Sequence, residues 1–380
     1  MRHFLAPRNL VLTGALAVLA LGVYYILLPE CTTIGAVRAQ AGSQGYRTWS
    51  GESLKSFTHS GNKVCVPPGW APLGESAAGD GWVEFPDGVT GVLYKTDSFL
   101  SSTITPAKSE YAVTLLYPKE LSPLDVETHT DVVESAFNNV GALYDDSPKD
   151  IRQQHTVLVT AGLAGDTRTT ETRIYPDPTL QRSFIVRNPG DPRSEELLIH
   201  AVIHLYNRHA LSGTEYKAFQ QPFSEEEFEE LEATWAEFAL NTNVEGARLR
   251  LLYLYQVHTA VMTKNFDLIP GPPFNDETGF GLLRPTVFVP QNGSYLEHQY
   301  GHYILAPLVM AATDALLARE HADSVLNLLQ EVHKTNASFI ALLAQELGEE
   351  RVVELLSYAR GEALIPYSLI EKAEGVYILK

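Results

Sequence analysis

The sequence predicts an α+β protein in which a β-rich N-terminal part precedes an almost wholly helical C-terminal part. Between residues 63 and 121 the chain has short runs of β-branched and aromatic residues, separated by Pro, Gly and Asp. Beyond Asp191 the apolar residues recur at helical spacing. The uncharged apolar run Leu10–Leu28 precedes both parts and predicts one transmembrane helix.

The run Leu10–Leu28 contains 19 residues and, at about 1.5 Å per residue, just spans a hydrocarbon core of about 30 Å. Arg2 and Arg8 precede it, so the positive-inside rule places residues 1–9 in the cytoplasm as a short tail and the main domain outside. The alternative is a signal peptide cleaved after Ala39–Ala41, which would leave a secreted protein.

Residues 29–62 are rich in Gly, Ser and Thr, which predicts a tether between the anchor and the folded part. A β-rich region over residues 63–108 follows, with strands predicted at 63–66, 81–85 and 89–94. Outside the cytoplasm, Cys31 and Cys65 could form one disulfide.

Residues 109–241 are predicted to form a mixed α/β region. Residues 123–144 have helical periodicity, and strands are predicted at 111–117, 156–161, 171–175 and 183–187. The pair Asp191-Pro192 is a sound helix start, since a capping side chain precedes proline in the first turn. The later helices are predicted at 193–210 and 224–241 and, in an all-α region over 242–380, at 245–264, 296–320, 322–332, 336–347 and 349–358.

The charge distribution excludes nucleic-acid binding. The formal net charge is −18, and no Lys/Arg-rich run offers a binding surface for phosphates.

A metal site is predicted where the helical part begins. His200 and His204 stand one helical turn apart, so both imidazoles can reach a single ion. The helix is apolar on nearly every side and is therefore buried, and two buried imidazoles need partners that offset their desolvation. The alternative is a pair of core histidines hydrogen-bonded to neighbours, because the chain has 12 histidines and a second such pair at His298 and His302.

A third ligand is predicted in the next helix. Glu237 stands beside Trp235 and Phe238, and an unpaired carboxylate among such residues would be costly. We therefore predict Zn²⁺ bound by His200, His204 and Glu237. Glu230 and Glu232 are alternatives, which we expect on the exposed face of that helix.

These motifs resemble those of the gluzincin zinc metallopeptidases. The matching segments are His200-Ala-Val-Ile-His204, Trp235-Ala-Glu237-Phe-Ala and a helix start that contains Gly301. The 32 residues between His204 and Glu237 favour the glycyl-aminopeptidase branch, with the aminopeptidase-N type as a more distant relative. The resemblance covers about residues 63–360. It implies a thermolysin-like mixed lobe that carries the metal-site helix, a helical C-terminal lobe, and zinc-dependent hydrolysis of peptides.

Three positions depart from the family pattern. Phe238 follows Glu237 where the family usually has a glycine. Ala201 replaces the glutamate that deprotonates the metal-bound water, and the loss of such a base costs about 10²–10⁴ in rate. His298 stands where the family has a tyrosine that donates a hydrogen bond to the developing oxyanion. His298 itself or the nearby Tyr300 could serve this purpose.

Three explanations account for the alanine at position 201. The chain is an engineered knock-out of an active peptidase, a natural pseudo-peptidase, or an enzyme whose base comes from Glu195 or Glu196. We accordingly predict a membrane-anchored extracytoplasmic zinc metallopeptidase scaffold for peptide or protein substrates, impaired at Ala201. The alternatives are a pseudo-peptidase that binds peptide or protein partners without hydrolysis, and a structural envelope protein without metal.

Overall fold

The computed structural model describes a large part of the chain after residue 45, with gaps. The described residues are 46–50, 54–58, 62–66, 68–73, 82–85, 90–106, 112–143, 155–159, 173–174, 183–186, 192–210, 222–268, 283–290, 292–320, 323–335 and 337–373. The predicted anchor Leu10–Leu28 and Cys31 lie outside these residues. The chain divides into two compact units, a smaller one formed mainly by residues up to Leu100 and a larger one formed mainly by the residues from Ser101 onward.

The smaller unit consists of short antiparallel strands. Its four-stranded sheet has the order β1-β2-β6-β4, and β3 pairs with β5 in a separate two-stranded sheet. The strands are β1 (Tyr46–Ser50), β2 (Leu54–Thr58), β3 (Asn62–Cys65), β4 (Trp70–Pro72), β5 (Trp82–Phe85) and β6 (Thr90–Lys95). A 3₁₀ turn at Thr96–Ser98 follows β6.

Part of the predicted tether belongs to this sheet. Strands β1 and β2 pair with each other, and β2 pairs along its whole length with β6, from Leu54 opposite Tyr94 to Thr58 opposite Thr90. The Gly, Ser and Thr content of residues 29–62 as a whole indicated a linker. The local segments Tyr46–Ser50 and Leu54–Thr58 contain the aromatic residues and threonines that favour strands, and the tether prediction is wrong for these two segments.

The larger unit contains a mixed five-stranded sheet of order β10-β11-β9-β8-β7. Strands β8 and β9 are parallel and joined by the long helix α1. Parallel strands need such a crossover, and strands covered on both faces read as continuous apolar runs. The elements are β7 (Phe99–Ile104), β8 (Val113–Pro118), α1 (Pro123–Leu143), β9 (His155–Val159), β10 (Arg173–Ile174) and β11 (Ser183–Val186).

The other regular elements that the structure describes in the larger unit are helices, so this described part is helix-dominated with a small sheet. They are α2 (Pro192–Ala210), α3 (Glu225–Ala239), α4 (Val244–Thr263), α5 (Tyr295–Tyr300), a π-helix (Gly301–Leu305), α6 (Ala306–Arg319), α7 (Val325–Thr335), α8 (Phe339–Leu347), α9 (Glu349–Ala359) and α10 (Tyr367–Ala373). Helix α2 packs on α1 and α3, and the buried helix α6 contacts α3, α9 and α10. The helices predicted at 193–210, 224–241 and 245–264 are confirmed within two residues at each end.

One stretch among the described residues is long and apolar enough to cross a membrane. It runs from Tyr295 to Arg319 and has a mean hydropathy of 1.3, but 83% of its apolar window is buried inside the protein. This burial is typical of a core helix. The stretch is separate from the predicted anchor at Leu10–Leu28.

Candidate metal centre

Helix α2 brings the two predicted histidines together. His200 Nε2 lies 3.0 Å from His204 Nε2, and the ring centroids are 4.6 Å apart. The apolar residues around them, Leu198, Ile199 and Val202, are completely buried and hold this part of α2 inside the unit. The i, i+4 spacing therefore places both imidazoles on one buried face.

A carboxylate from helix α3 joins the two imidazoles. Glu230 Oε2 lies 3.5 Å from His200 Nε2, and Glu230 Oε1 lies 3.4 Å from His204 Nε2. One ligand atom from each of the three residues lies within 4.8 Å of the others. Two ligand atoms on a tetrahedral zinc ion with bonds of about 2.05 Å are about 3.3 Å apart. The three separations are close to this value, so the residues fit zinc.

The start of helix α3 fixes the position of Glu230. Ser224 and Glu227 form a capping box, with Glu227 Oε2 2.7 Å from Ser224 N and Ser224 Oγ 3.3 Å from Glu227 N. Phe228 and Leu231, which flank Glu230 in the same turn, are both buried. This turn directs the carboxylate of Glu230 toward α2.

Glu237, the third ligand predicted from the sequence, contacts the other nitrogen of His200. Its Oε1 lies 2.7 Å from His200 Nδ1, and its Oε2 accepts a hydrogen bond of 2.8 Å from Arg250 Nη1. A carboxylate that accepts from Nδ1–H fixes the tautomer and leaves Nε2 free for a metal. The sequence argument that a buried carboxylate needs partners was sound. Glu230, which the sequence offered as an alternative ligand, lies seven residues or about two turns before Glu237 and shares its helix face.

The positively charged groups in the cluster lower the pKa values of its two carboxylates. Burial alone would raise the pKa of Glu230, but His204, His200 and His302 lower it to about 2. Burial would also raise the pKa of Glu237, and Arg250 and His200 together hold that pKa below its usual value. Both carboxylates are therefore ionised near neutral pH, as metal binding requires.

Ala201 and the two glutamates near it are buried and surrounded by other residues. Ala201 is 1% exposed and packs in the apolar core. Glu195 accepts hydrogen bonds from the hydroxyl and backbone N–H of Thr242. Glu196 accepts from Asn241 and Arg250. These contacts engage both alternative bases that the sequence suggested.

The two predicted oxyanion donors contact residues other than His200, His204 and Glu230. The hydroxyl of Tyr300 is 2.7 Å from His258 Nδ1 in a completely buried pair, so it packs against α4. His298 is partly exposed, and its ring centroid lies 5.4 Å from that of His302. The helical periodicity of 296–320 gave no sign of the π-helix, which changes the direction of the side chains that follow Tyr300.

Tyr303, which was not predicted as a site residue from the sequence, lies beside the centre. Its ring centroid is 5.8 Å from that of His200, and burial together with the carboxylates of Glu230 and Glu237 raises the pKa of its hydroxyl. The π-helix that carries it packs against α3. Gly301 permits the close approach of the π-helix to the segment that contains Val289, because a Cβ at Gly301 would lie 2.6 Å from Val289 Cγ2. The only feature of the sequence that could have indicated Tyr303 is its position next to His302, in the second histidine pair.

No protein-family model matches the sequence. No curated protein matches it either. Solved structures do match the fold. An aminopeptidase N family protein from Idiomarina loihiensis matches with a TM-score of 0.54 and 14% identity, over 84% of this chain and 61% of that protein. This chain therefore spans less than two thirds of that protein's length.

Two further structures are similar at lower scores. An M1 zinc metallopeptidase from Deinococcus radiodurans has a TM-score of 0.48 and 12% identity, covering 85% of this chain and 72% of its own. Native leukotriene A4 hydrolase from Saccharomyces cerevisiae has a TM-score of 0.46 and 11% identity, covering 88% of this chain and 53% of its own. The likeness to the Idiomarina protein shows that the two chains share a fold.

Proposed function

We propose that the chain is a zinc-binding protein on a metallopeptidase-type scaffold whose capacity for peptide hydrolysis is lost or severely impaired at Ala201. The observation that supports this most directly is the convergence of His200, His204 and Glu230, with ligand atoms spaced as zinc requires. The shared fold supports the scaffold. The glycyl-aminopeptidase branch has less support, because the 32-residue interval that favoured it ends at Glu237 and the carboxylate of the cluster is Glu230.

Each residue of the centre has a separate task in this proposal. His200 and His204 bind the ion through Nε2, and Glu230 binds it through a carboxylate oxygen. Glu237 holds the proton of His200 on Nδ1. Zinc bound there supplies a Lewis acid that polarises a carbonyl group. The hydroxyl of Tyr303 is the nearby donor for an oxygen atom that carries developing negative charge.

Hydrolysis needs one more group, which Ala201 does not provide. A base must take the proton from the attacking water and return it to the leaving amine, and a methyl group can do neither. The engagement of Glu195 with Thr242 and of Glu196 with Arg250 favours the second candidate function. This candidate is a pseudo-peptidase that binds peptide or protein partners without cleaving them.

Zinc content tests the proposal. We expect the purified full chain to bind one zinc per molecule, and His204→Ala and Glu230→Ala to lose it, because each variant removes a ligand. Glu226→Ala, an exposed residue on the same helix as Glu230, is the matched control and should keep its zinc. Elemental analysis after dialysis gives the stoichiometry. A wild-type chain without zinc, or a Glu230→Ala variant with full zinc, would contradict the proposal.

The variant Ala201→Glu separates the two candidate functions. We expect no peptide cleavage by the wild-type chain. Cleavage that appears in zinc-loaded Ala201→Glu would identify a peptidase impaired at one residue. Full zinc occupancy without cleavage in that variant would favour the pseudo-peptidase. Cleavage by the wild-type chain would show that the base is supplied by another group.

The cellular location stays a proposal that depends on the sequence alone. We infer that residues 10–28 retain the protein in a membrane with its main domain outside the cytoplasm. The expected result is a full-length chain that resists alkaline extraction from membranes. A mature N-terminus just after Ala41 would instead identify a secreted protein.

A further inference from the structure

Glu196 is a buried carboxylate near the candidate metal centre that the proposed chemistry does not use. It is 5% exposed and stands one helical turn before His200 on α2, so the two side chains lie on the same face of that helix. A buried carboxylate is costly unless other groups pair with it and hydrogen-bond to it. The partners of Glu196 therefore indicate what it does.

Two donors from outside α2 hold Glu196, one at each carboxylate oxygen. Asn241 Nδ2 donates to Oε1 at 3.1 Å, and Arg250 Nη1 donates to Oε2. Asn241 lies in the turn between α3 and α4, is 5% exposed, and accepts a hydrogen bond of 2.8 Å from the backbone N–H of Asn243. The turn and helix α4 therefore fix the carboxylate of Glu196 from two sides.

The nitrogen of Arg250 that contacts Glu196 also leads to the metal centre. Nη1 donates to Glu237 Oε2 at 2.8 Å, and Glu237 Oε1 lies 2.7 Å from His200 Nδ1. Nη1 carries two N–H groups and can direct one to each carboxylate. The side chain of Arg250 is 26% exposed, so without Glu196 this long cation could turn its head toward solvent. The hydrogen bond from Arg250 to Glu237 therefore depends on Glu196.

We propose that Glu196 is a positioning residue of the metal centre and acts on His200 through Arg250 and Glu237. This inference rests on the proposed function. The series of contacts keeps the proton of His200 on Nδ1 and presents Nε2 to the ion. The glutamate one turn before the two histidines then orients a metal ligand and does not replace the base that is missing at Ala201.

Glu195 provides a matched control for Glu196. The two glutamates are adjacent on α2, and Glu195 is 4% exposed. Glu195 contacts Thr242, whose hydroxyl donates at 2.7 Å and whose backbone N–H donates at 3.4 Å. Glu195→Gln and Glu196→Gln each remove a buried carboxylate from the same turn of α2, but the second substitution acts on the contact with Arg250.

Zinc affinity of the full chain is the first measurement. A glutamine in place of Glu196 has one acceptor oxygen, which can accept from Asn241 or from Arg250 but not from both in this arrangement. We expect Glu196→Gln to weaken zinc binding at least about fivefold, as measured by competition with a chromophoric chelator. Glu195→Gln should change zinc affinity less than about twofold, although chemical denaturation should show that both variants are less stable than wild type.

The visible absorption of the cobalt-loaded chain is a second readout, because it reports ligand orientation and a loss of stability alone would not change it. The spectrum should shift in Glu196→Gln and match wild type in Glu195→Gln. If Glu196→Gln does not fold, Asn241→Ala takes its place, since it removes the hydrogen bond that holds Glu196 from the turn. Equal zinc affinities in the test and control variants, or identical cobalt spectra, would overturn the inference and leave the proposed function standing. A wild-type chain that binds no zinc would overturn both.

Discussion

Arg250 holds two buried carboxylates in place at the back of the metal centre. Its guanidinium donates to Glu237 and Glu196, whose side chains are 2% and 6% exposed, and it lies 4.9 Å from the ring centroid of Phe238. Glu237 in turn orients His200. The orientation of His200, a proposed metal ligand, therefore depends on a residue of α4 that lies outside the cluster of His200, His204 and Glu230.

Replacing Arg250 should weaken both the fold and the site. We expect Arg250→Met to cost about 3–5 kcal/mol in the free energy of unfolding, because it leaves two buried carboxylates without their cation. Zinc affinity should fall by about 10–100-fold as His200 loses its fixed orientation. Chemical denaturation and chelator competition measure the two effects.

Arg248→Met is the control for this prediction. Arg248 lies on the same helix and pairs with the exposed Glu245 at 3.1 Å. The change should alter stability by less than about 1 kcal/mol and leave zinc affinity unchanged. Equal effects of the two substitutions would show that Arg250 contributes only as a surface charge.

At the residue scale, the sequence predicted which side chains are buried better than it predicted which residues they contact. The burial of His200, His204 and Glu237 followed from the apolar residues around them. The contact between Glu237 and Arg250 did not follow, because Arg250 lies on a helix that begins at Val244 and local periodicity does not indicate such a contact. Tyr303 was missed for a similar reason, since its direction depends on a π-helix.

At the scale of elements, Asp314 joins helix α6 to the start of α7. Its Oδ1 accepts a hydrogen bond of 3.0 Å from the backbone N–H of Val325, one of the amides that a helix start leaves without a partner. Asp314 is 3% exposed, and this burial raises its pKa from the usual 3.8 to about 6. The folded state therefore retains a proton on Asp314 at pH values where the unfolded chain has released it.

The sign of the resulting pH dependence follows from this raised pKa. The contribution of Asp314 to stability decreases as the pH rises from about 4 to about 6, because ionisation is harder in the folded state. Asp314→Asn removes this cost while an oxygen atom still accepts from Val325. The variant should be more stable than wild type by up to about 3 kcal/mol at pH 7.5 and nearly equal to it at pH 4. Urea denaturation at both pH values checks this, and a difference independent of pH would contradict it.

Most helices and several strands could be predicted because their periodicity is local. The helix predicted at 123–144 and the strands at 63–66 and 81–85 agree closely with α1, β3 and β5. Residues 296–320 form three consecutive segments, because a π-helix breaks the hydrogen-bond pattern without breaking the apolar run. Strands β4 and β7 were missed because Pro72 and the serines Ser101 and Ser102 obscure a strand pattern.

At the scale of the whole molecule, the proposed zinc ion would connect two long helices of the larger unit. His200 and His204 lie on α2, and Glu230 lies on α3. A ligand that binds only the folded state at 100 times its Kd stabilises that state by about 2.7 kcal/mol. Zinc should therefore act as a crosslink between helices that already pack together.

Removal of zinc should loosen the larger unit selectively. After chelation we expect faster amide hydrogen exchange in α2 and α3, and unchanged exchange in strands β1 and β2 of the smaller unit. Returning zinc to the chelated protein should restore slow exchange. Equal acceleration in both units would contradict the prediction, as would no change in either.

The α+β class was predictable because strand-like and helix-like runs occupy different halves of the sequence. The extent of the folded part was not predictable from the sequence. Strand β2 pairs with β6, more than 30 positions later, and the composition of residues 29–62 carries no information about such a distant partner. The pairing of β8 with β9 across α1 is equally non-local.

The π-helix Gly301–Leu305 gives its segment an unusual tolerance of losing one residue. A π-turn accommodates one more residue than an α-turn, so a single deletion would let the segment close into a continuous α-helix with both flanking helices near their original phase. Tyr300 would then keep its contact with His258, and α6 would stay buried. The side chains within the π-turn, among them Tyr303, would be redirected. Natural variants that are one residue shorter here should therefore retain the fold and lose the contact between Tyr303 and His200.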